Sequence, residues 1–295
     1  MSEDILRPLP FEKWHFLQLK LKHEWPKFAY IYYWIENAIQ WKKKKPDISI
    51  QIYCPEGNSE QGTFVAIANY SIYIVTTFTL NPKDGSLENA LKETQLIDWS
   101  QGVHFSAVHE FIKPIIYSTI ESIKNIRNLE MNVTVPSCFY YKSVEDCAKV
   151  EISVPSECYL KPLDVSDIPL IHSEWPHKDT ERPDLSMKYL GAMVEMNGGL
   201  GLHLKENDSL VAWALQNEWH GLGIVQTSKN HRRKGYAKIV INAMARKLAD
   251  KEIPVSLFIV QGNVLSETMF KGLGWQRIAA VEWIVLKRQD STIKK

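Results

Sequence analysis

Two periods of apolar and polar residues along the chain predict a mixed α/β protein. From Phe11 to Trp41 apolar residues recur at three- and four-residue steps, which is the period of a helix, with a break at Pro26. From Ile48 to Ile52 apolar and polar residues alternate strictly, which is typical of a half-buried strand. The same patterns predict further strands at 63–68, 71–79 and 131–141 and helices at 87–98 and 109–123.

The second half of the chain has a clearer rhythm of strand, two helices, three strands, helix, strand, helix and strand. These elements are a strand at 159–163, a helix at 164–175 capped by Asp164 or Ser166, a helix at 186–196, strands at 199–204, 210–215 and 223–227, a helix at 235–251, a strand at 255–260, a helix at 265–271 and a strand at 281–286.

A polar, irregular stretch at 142–157 separates the two halves. We therefore predict an N-terminal α/β domain at 1–150 and a second domain at 151–295. The residues show no clear internal repeat, although two α/β halves of similar size are compatible with a duplication.

Composition narrows the class of protein. The chain has 295 residues, of which 45% are hydrophobic, and its net charge is +1. We therefore expect packed cores and no general attraction to nucleic acid or to membranes. No apolar run reaches about 18 residues, the length of a membrane-spanning helix. We expect a monomer or a weak dimer.

The cysteines and the amino terminus indicate an intracellular protein, cytoplasmic or mitochondrial. The amino terminus has no apolar secretion segment, and the four cysteines lack the spacing of a zinc site, so we expect reduced thiols. His109 and Glu110 begin like a zinc-binding helix motif, but Lys113 occupies the place of the second histidine. No metal is expected.

The most informative chemical feature is a basic loop between a strand and an amphipathic helix. The loop reads Arg232, Arg233, Lys234, Gly235, Tyr236 and Ala237. A helix amino terminus offers unpaired N–H donors, and glycine lets the backbone approach a phosphate closely. The basic side chains add charge for the phosphate. The loop therefore predicts a pyrophosphate site, although a basic turn before a surface helix has the same composition.

A second motif follows about 30 residues downstream. Asn263 comes just after a buried strand, where its amide can bond the amides of a ligand, and Ser266 is placed to cap the next helix. Met269 and Phe270 bury one side of that helix, and Gly274 ends it. Each residue alone has a structural explanation, but the order and spacing of the two motifs favour one cofactor site.

Together the two motifs resemble the signature of the GNAT acyltransferase superfamily over residues 158–288. Within it, the whole chain is similar to the glycine N-acyltransferase-like proteins, with a diverged amino-terminal α/β domain. Leu96-Ile97-Asp98-Trp99 and Val211-Ala212-Trp213 carry this finer resemblance.

The resemblance implies an acyl-CoA co-substrate and direct attack by an acceptor amine. The pantetheine arm is expected between the strands at 223–227 and 255–260. By position, Val225 and Thr227 line it, and the N–H of Thr227 holds the thioester oxygen. The backbone of Arg232–Ala237 holds the pyrophosphate, and Asn263, Ser266 and Phe270 complete the cofactor site.

The resemblance leaves the proton-transfer groups open. Asn230 occupies the position of the family's proposed glutamate base and cannot take a proton, and Phe270 replaces a tyrosine acid. His231, His177 and Glu181 are candidate substitutes, as is a chain of water molecules. Glu218 and His220 precede the cofactor strand and are discounted.

We therefore expect an N-acyltransferase that uses acyl-CoA and acylates a small amine such as glycine or another amino acid. One alternative is an acetyltransferase for a protein amine or an arylalkylamine. The other is a member of the family that binds acyl-CoA without turnover.

Overall fold

The computed structural model describes residues 3–289, which form one mixed sheet with helices on both faces. The strands are β1 (Leu6–Pro8), β2 (Ile50–Pro55), β3 (Phe64–Asn69), β4 (Tyr73–Phe78), β5 (His104–His109), β6 (Leu129–Lys142), β7 (Cys158–Pro162), β8 (Gly199–Leu204), β9 (Leu210–Gln216), β10 (Leu222–Thr227), β11 (Val255–Val260) and β12 (Gln276–Arg288). This confirms the mixed α/β fold that the hydrophobic pattern predicts.

Helices connect most of the strands. They are α1 (Trp14–Lys20), α2 (Ala29–Lys44), α3 (Ser86–Glu93), α4 (Lys113–Ile123), α5 (Val144–Ala148), α6 (Ile168–Glu174), α7 (Pro183–Met196), α8 (Tyr236–Ala249) and α9 (Val264–Gly272). Within residues 3–289, none of them combines the length and the apolar character needed to cross a membrane.

The two halves of the chain repeat one topology. The sheet order is β1-β2-β3-β4-β5-β12-β6-β11-β10-β9-β8-β7. In the first half, two helices lie between β1 and β2, one between β4 and β5, and one between β5 and β6, and the second half repeats this plan from β7 to β12. The β4–β5 and β10–β11 pairs are parallel, and every other neighbouring pair is antiparallel. The repeat is a property of the fold that the residues did not reveal.

The last strand of each half lies inside the other half. β12 pairs with β5 on one side and with β6 on the other, and β6 in turn pairs with β11. The β6–β12 ladder runs from Leu129–Arg288 to Tyr141–Gln276. The boundary at residue 150 therefore separates segments that share one hydrogen-bonded sheet, and it stays a prediction.

Two elements differ from the pattern-based prediction in the first half. Residues 104–109 form the buried strand β5, which the prediction missed, and the predicted helix at 109–123 begins only at Lys113. Pro114 explains that start, because proline fits the first turn of a helix but not its interior. The helix predicted at 87–98 ends at Glu93.

A cluster of aromatic side chains packed against the sheet joins the two halves of the chain. Phe139 on β6 is fully buried between Tyr30 of α2, at 5.0 Å between ring centroids, and Phe258 of β11, at 5.7 Å. Trp219 packs on both Tyr30 and Phe258, at 5.4 Å and 5.9 Å. These rings come from both halves, so the core they form is shared.

All four cysteines are buried and unpaired, as expected of reduced thiols. Burial raises the pKa of Cys54 to about 12 and, as the largest of several effects, that of Cys147 to about 11. Since the thiolate is the reactive form, neither of these two side chains is suited to be a nucleophile at neutral pH.

We expect Phe139→Ala to lower the free energy of unfolding by about 3–5 kcal/mol, because it empties a filled position between the two halves. Urea unfolding followed by tryptophan fluorescence measures the loss. The matched control is Ile126→Ala, whose side chain is 80% exposed and should change stability by less than about 0.5 kcal/mol. If Phe139→Ala unfolded in two separate transitions, and the midpoint of the second were the same as in the unmodified protein, the two halves would not share a core.

Candidate acyl-donor and acceptor site

The neighbouring parallel strands β10 and β11 diverge and open a cleft in the sheet. They are paired at one position, Leu222 with Leu257, whereas β4 and β5 are paired at two. The cleft has a volume of about 210 Å³. It is lined by Trp175, Pro176, His177, Leu222, Gly223, Ile224, Val225, Gln226, Leu257, Phe258, Ile259, Val260, Asn263, Ser266 and Phe270. The cleft occupies the place where the sequence resemblance puts the pantetheine arm.

An irregularity in β10 bends the strand at the cleft. The pairing of β10 with β9 shifts register between Gly223 and Gln226, and Ile224 within the shift has a φ of 53°. A β-branched residue rarely adopts a positive φ, so the local conformation is strained and is maintained by its surroundings. The bulge turns β10 away from β11 and thereby widens the split.

The backbone of Thr227 presents a hydrogen-bond donor to the split. The N–H of Ser228 donates to the carbonyl of Val211 on the far side of β10. Successive N–H groups along a strand point to opposite edges, so the N–H of Thr227 points toward β11. Val225, two residues earlier, lines the cleft, whereas Thr227 itself is not among the lining residues, so the contact of its N–H with a thioester oxygen stays a prediction.

The basic loop ends in a set of unpaired backbone donors. Among the described residues, the N–H groups from Arg232 to Ala237 donate to no protein acceptor. Gly235 precedes α8 in the left-handed conformation, with a φ of 80°, and no atom lies within 4 Å of the position where a Cβ would stand. The loop thus combines free donors, a helix amino terminus and open space, which suits a pyrophosphate.

The loop side chains are only partly available to a ligand. Arg232 donates from Nε to the carbonyl of Thr227 at 3.3 Å, and its Nη2 lies 3.8 Å from the Glu174 carboxylate. Tyr236 is buried, and Cys158 together with burial raises the pKa of its hydroxyl to about 12. Tyr236 therefore offers a ligand its backbone N–H, while Arg233 and Lys234 remain exposed.

In the equivalent loop of the first half, an aspartate of the loop itself accepts hydrogen bonds from the start of the helix. Gly85 also precedes a helix with a positive φ, 74°, as Gly235 does. There, however, Asp84 accepts hydrogen bonds from the backbone N–H of Ser86 at 2.8 Å and from its hydroxyl at 2.7 Å. A carboxylate thus occupies the place that an anionic ligand would need. Of the two equivalent loops, the second-half loop is therefore the one whose backbone donors are free for a ligand.

The second motif caps α9 in a different way from the prediction. The Asn263 side chain accepts a hydrogen bond from the Ser266 N–H at 3.1 Å and is the cap of the helix. Ser266 therefore is not the cap, since it lies three residues inside the helix and receives that contact. Both residues line the cleft.

Phe270 closes the cleft on the side of α9. Its ring is buried and contacts Trp275 edge to face, at 5.5 Å between centroids. The phenyl ring has no hydroxyl to donate, so it supplies shape and an apolar wall.

The candidate proton-transfer residues differ in their position relative to the cleft. His177 lines the cleft, whereas Asn230 and His231 lie in a short 3-10 turn and are not among the lining residues. Asn230 is exposed, and the Nδ1 of His231 is buried without a hydrogen-bond partner within residues 3–289. Glu181 is exposed, in the loop between α6 and α7.

That loop, which brings Trp175, Pro176 and His177 to the cleft, is anchored on the first half. Arg182 at its end lies 3.5 Å from Nε2 of His104 on β5 and donates from Nε to Asp179 at 3.0 Å. Burial, and then the charge of Arg182, lower the pKa of His104 to about 4. The imidazole is therefore neutral and able to accept from the guanidinium.

Several residues of the site carry no sequence signal of their own. Trp175 and Phe258 line the cleft, yet the pattern around them is that of core aromatics. Glu218 and His220, discounted because they precede β10, are both buried. The hairpin between β9 and β10 contains polar residues on both sides of Glu218, so the sequence gives no sign that this acid is buried.

Two family models match parts of the chain. A model described as FR47-like protein matches residues 199–284, and a domain of unknown function, DUF5645, matches residues 5–119. The first covers β10 and β11, the basic loop and the capped helix α9, but not the α6–α7 loop residues that also line the cleft. The second lies wholly within the first half.

Solved structures match nearly the whole chain. An X-ray structure of a Drosophila protein is 27% identical, covers 96% of this chain and 99% of its own, and has a TM-score of 0.86. A tandem GNAT protein from the clavulanic acid biosynthesis pathway is 12% identical, covers 95% and 97%, and has a TM-score of 0.55. A GCN5-related N-acetyltransferase from Sphaerobacter thermophilus is 10% identical, covers 86% and 85%, and has a TM-score of 0.51. At 12% and 10% identity, the last two show the fold alone.

We expect Asn263→Ala to lower the free energy of unfolding by about 1 kcal/mol, because α9 loses the acceptor for its Ser266 N–H. Asn263→Asp keeps an acceptor oxygen and should retain most of the stability. Urea unfolding of the two variants measures the difference. Equal losses in both would show that the hydrogen bond to Ser266 contributes nothing.

Proposed function

We propose, from the GNAT fold of this chain, that the protein is an acyl-CoA-dependent N-acyltransferase that acylates a small amine. The observation that carries the proposal is the cleft between β10 and β11, together with the row of free N–H donors in the loop that follows β10. A thioester arm fits a narrow split lined by strand backbone, and its pyrophosphate fits the donors of Arg232–Ala237.

In this proposal the donor is bound mainly by backbone groups. The N–H of Thr227 holds the thioester oxygen and the negative charge that develops on it during attack, as oxyanion donors do. Val225 and Phe270 bound the arm, and Asn263 and Ser266 offer polar atoms beside it. The loop cations Arg233 and Lys234 supply charge to the phosphates.

The amine attacks the thioester directly within a ternary complex. An alkylamine is mostly protonated at neutral pH, because the reference pKa of such a group is about 10. A base must therefore remove a proton before the attack. His177 is a candidate, since it lines the cleft on the side of the α6–α7 loop. The resemblance names glycine or another amino acid as the first acceptors to assay.

Two other functions share the cofactor site. An acetyltransferase for a protein amine or an arylalkylamine would use the same donor cleft with a different acceptor. A family member that binds acyl-CoA without turnover is supported by Asn230 and Phe270, which replace the family's proposed base and common acid. Binding and turnover separate these functions, so they are measured independently.

We expect one acetyl-CoA to bind per chain, because the first-half loop is closed by Asp84 and the second-half loop is open. Isothermal titration with acetyl-CoA and longer acyl-CoAs measures the stoichiometry and the affinity. The absence of binding at tens of micromolar would contradict the proposal. Lys234→Ala should weaken binding several-fold, whereas the matched Lys83→Ala in the first-half loop should leave it unchanged.

We expect a free-thiol release assay to detect turnover over a panel of amines when acetyl-CoA or a longer acyl-CoA is the donor. His177→Gln removes a titratable group and keeps a polar side chain, so a fall of about 100-fold or more in kcat would identify His177 as the base. Binding of acyl-CoA with no thiol release for any amine would instead support the non-catalytic function.

A further inference from the structure

A second cavity lies in the first half of the chain and shares no lining residue with the donor cleft. It has a volume of about 380 Å³ and is lined by Lys22, Trp25, Tyr32 and Tyr33. Trp25 is 39% exposed, although tryptophan is on average among the well-buried residues of folded proteins. Three aromatic rings and one ammonium group therefore face a common space that is open to solvent.

The three rings meet at steep angles and form what we call the aromatic corner. The ring of Trp25 lies at 89° to that of Tyr32, with 5.5 Å between centroids, and at 66° to that of Tyr33, at 6.1 Å. The two tyrosine rings lie at 76° to each other, at 5.1 Å. A flat ligand stacks on one ring face, whereas a compact, rounded group can contact all three. The geometry therefore favours a rounded group.

The aromatic corner is held in place from two sides. The indole N–H of Trp25 donates to the hydroxyl of Tyr141 on β6 at 3.2 Å. Both tyrosines lie on α2, and near the other end of this helix Trp41 donates from its indole to the Asn197 side chain at 2.7 Å. Asn197 in turn donates to the carbonyl of Asn217 in the β9–β10 hairpin at 2.9 Å. Because the rings are oriented before a ligand arrives, binding costs little conformational entropy.

One cation and one anion lie beside the aromatic corner. Nζ of Lys22 is 5.5 Å from the centroid of the Tyr32 ring. Glu36, one turn after Tyr32 on α2, accepts hydrogen bonds from the amides of Gln18 at 2.7 Å and Gln40 at 3.0 Å. Burial, and then the charge of Glu36, raise the pKa of the Tyr32 hydroxyl. Within residues 3–289, neither Lys22 nor Glu36 forms an ion pair, with each other or with another side chain.

Lys22 differs in this respect from the lysines next to it along the chain. Lys20 lies 3.2 Å from the Glu60 carboxylate, and Lys27 lies 2.6 Å from that of Glu24. Lys22 lines the cavity instead. An ammonium group at the edge of an aromatic wall is suited to bind the carboxylate of a ligand that fills the cavity.

The two halves of the ligand follow from these contacts. A quaternary ammonium group is compact, donates no hydrogen bond and is attracted by the faces of aromatic rings, and the charge of Glu36 adds to that attraction. A ligand that carried this group alone would be repelled by Lys22. A ligand that also carries a carboxylate would instead be bound by Lys22.

We infer that the aromatic corner binds a small zwitterion of the betaine class. Its trimethylammonium group lies between the rings of Trp25, Tyr32 and Tyr33, and its carboxylate contacts Lys22. This site goes beyond the proposed acyl transfer and does not depend on it.

The test compares three ligands by isothermal titration with the full chain: glycine betaine, choline, and 3,3-dimethylbutanoate, in which carbon replaces the charged nitrogen. We expect betaine to bind at least about 5-fold more tightly than 3,3-dimethylbutanoate, which has the same shape without the cation. It should bind at least about 3-fold more tightly than choline, which lacks the carboxylate. No saturable binding of betaine at tens of millimolar, or equal binding of either analogue, would overturn the inference. The titration contains no acyl-CoA, so its outcome is separate from that of the proposed acyl transfer.

Lys22→Gln tests the carboxylate contact. The affinity for betaine should fall by about 5-fold, whereas the affinity for choline should not fall, because the charge that is removed only repels choline. Lys45→Gln makes the same change in an exposed lysine just after α2 and should leave both affinities unchanged. An unchanged affinity for betaine, or an equal loss for both ligands, would contradict the assignment of Lys22.

Trp25→Leu tests the ring faces, because leucine is apolar but has no π face. We expect the affinity for betaine to fall by about 10-fold. Trp25→Phe restores a ring face and should retain most of the affinity, although it also loses the hydrogen bond to Tyr141, so the pair separates the ring from the bond.

The matched control is Phe16→Leu, which replaces a 63% exposed ring on α1 that does not line the cavity and should leave the affinity unchanged. Urea unfolding verifies that each variant is folded. Full affinity in folded Trp25→Leu, or the same loss in Trp25→Phe, would overturn the inference.

Discussion

The exchange of β6 and β12 between the two halves is the constraint on which the rest of the structure depends. Each strand completes the hydrogen bonding of the half to which it does not belong by chain order. Because twelve strands thereby share one sheet, the helices of both halves pack on common faces, and Phe139 contacts rings from each half. The relative position of the halves is therefore set by backbone pairing rather than by a flexible linker.

The functional cleft is a local consequence of that sheet. β11 is paired along its whole length with β6 on one side, without a register shift, while on the other side β10 has the bulge at Ile224 and pairs with β11 at one position. The opening leaves backbone donors directed into a narrow space. A ligand site made in this way depends on strand geometry, which explains why few charged side chains line it.

The two halves share a topology but differ in what their donor loops can bind. Asp84 satisfies donors in the first half that remain free after Arg232 in the second. The first half instead supports the site next to it. It anchors the α6–α7 loop through His104 and the β9–β10 hairpin through Trp41.

The sequence by itself determined most of the helices and strands, the basic loop and the capped helix after β11, because each depends on neighbouring residues and local hydrogen bonds. It did not reveal β5, whose buried residues lack alternation, or the exchange of β6 and β12, because pairing between distant strands leaves no local pattern. Only the tertiary structure decided that Ser266 is not the cap of α9, that His177 rather than His231 reaches the cleft, and that Glu218 is buried beside Tyr189. Burial and distance between remote residues are properties of the packed chain, and they decide which of several similar side chains meets a ligand.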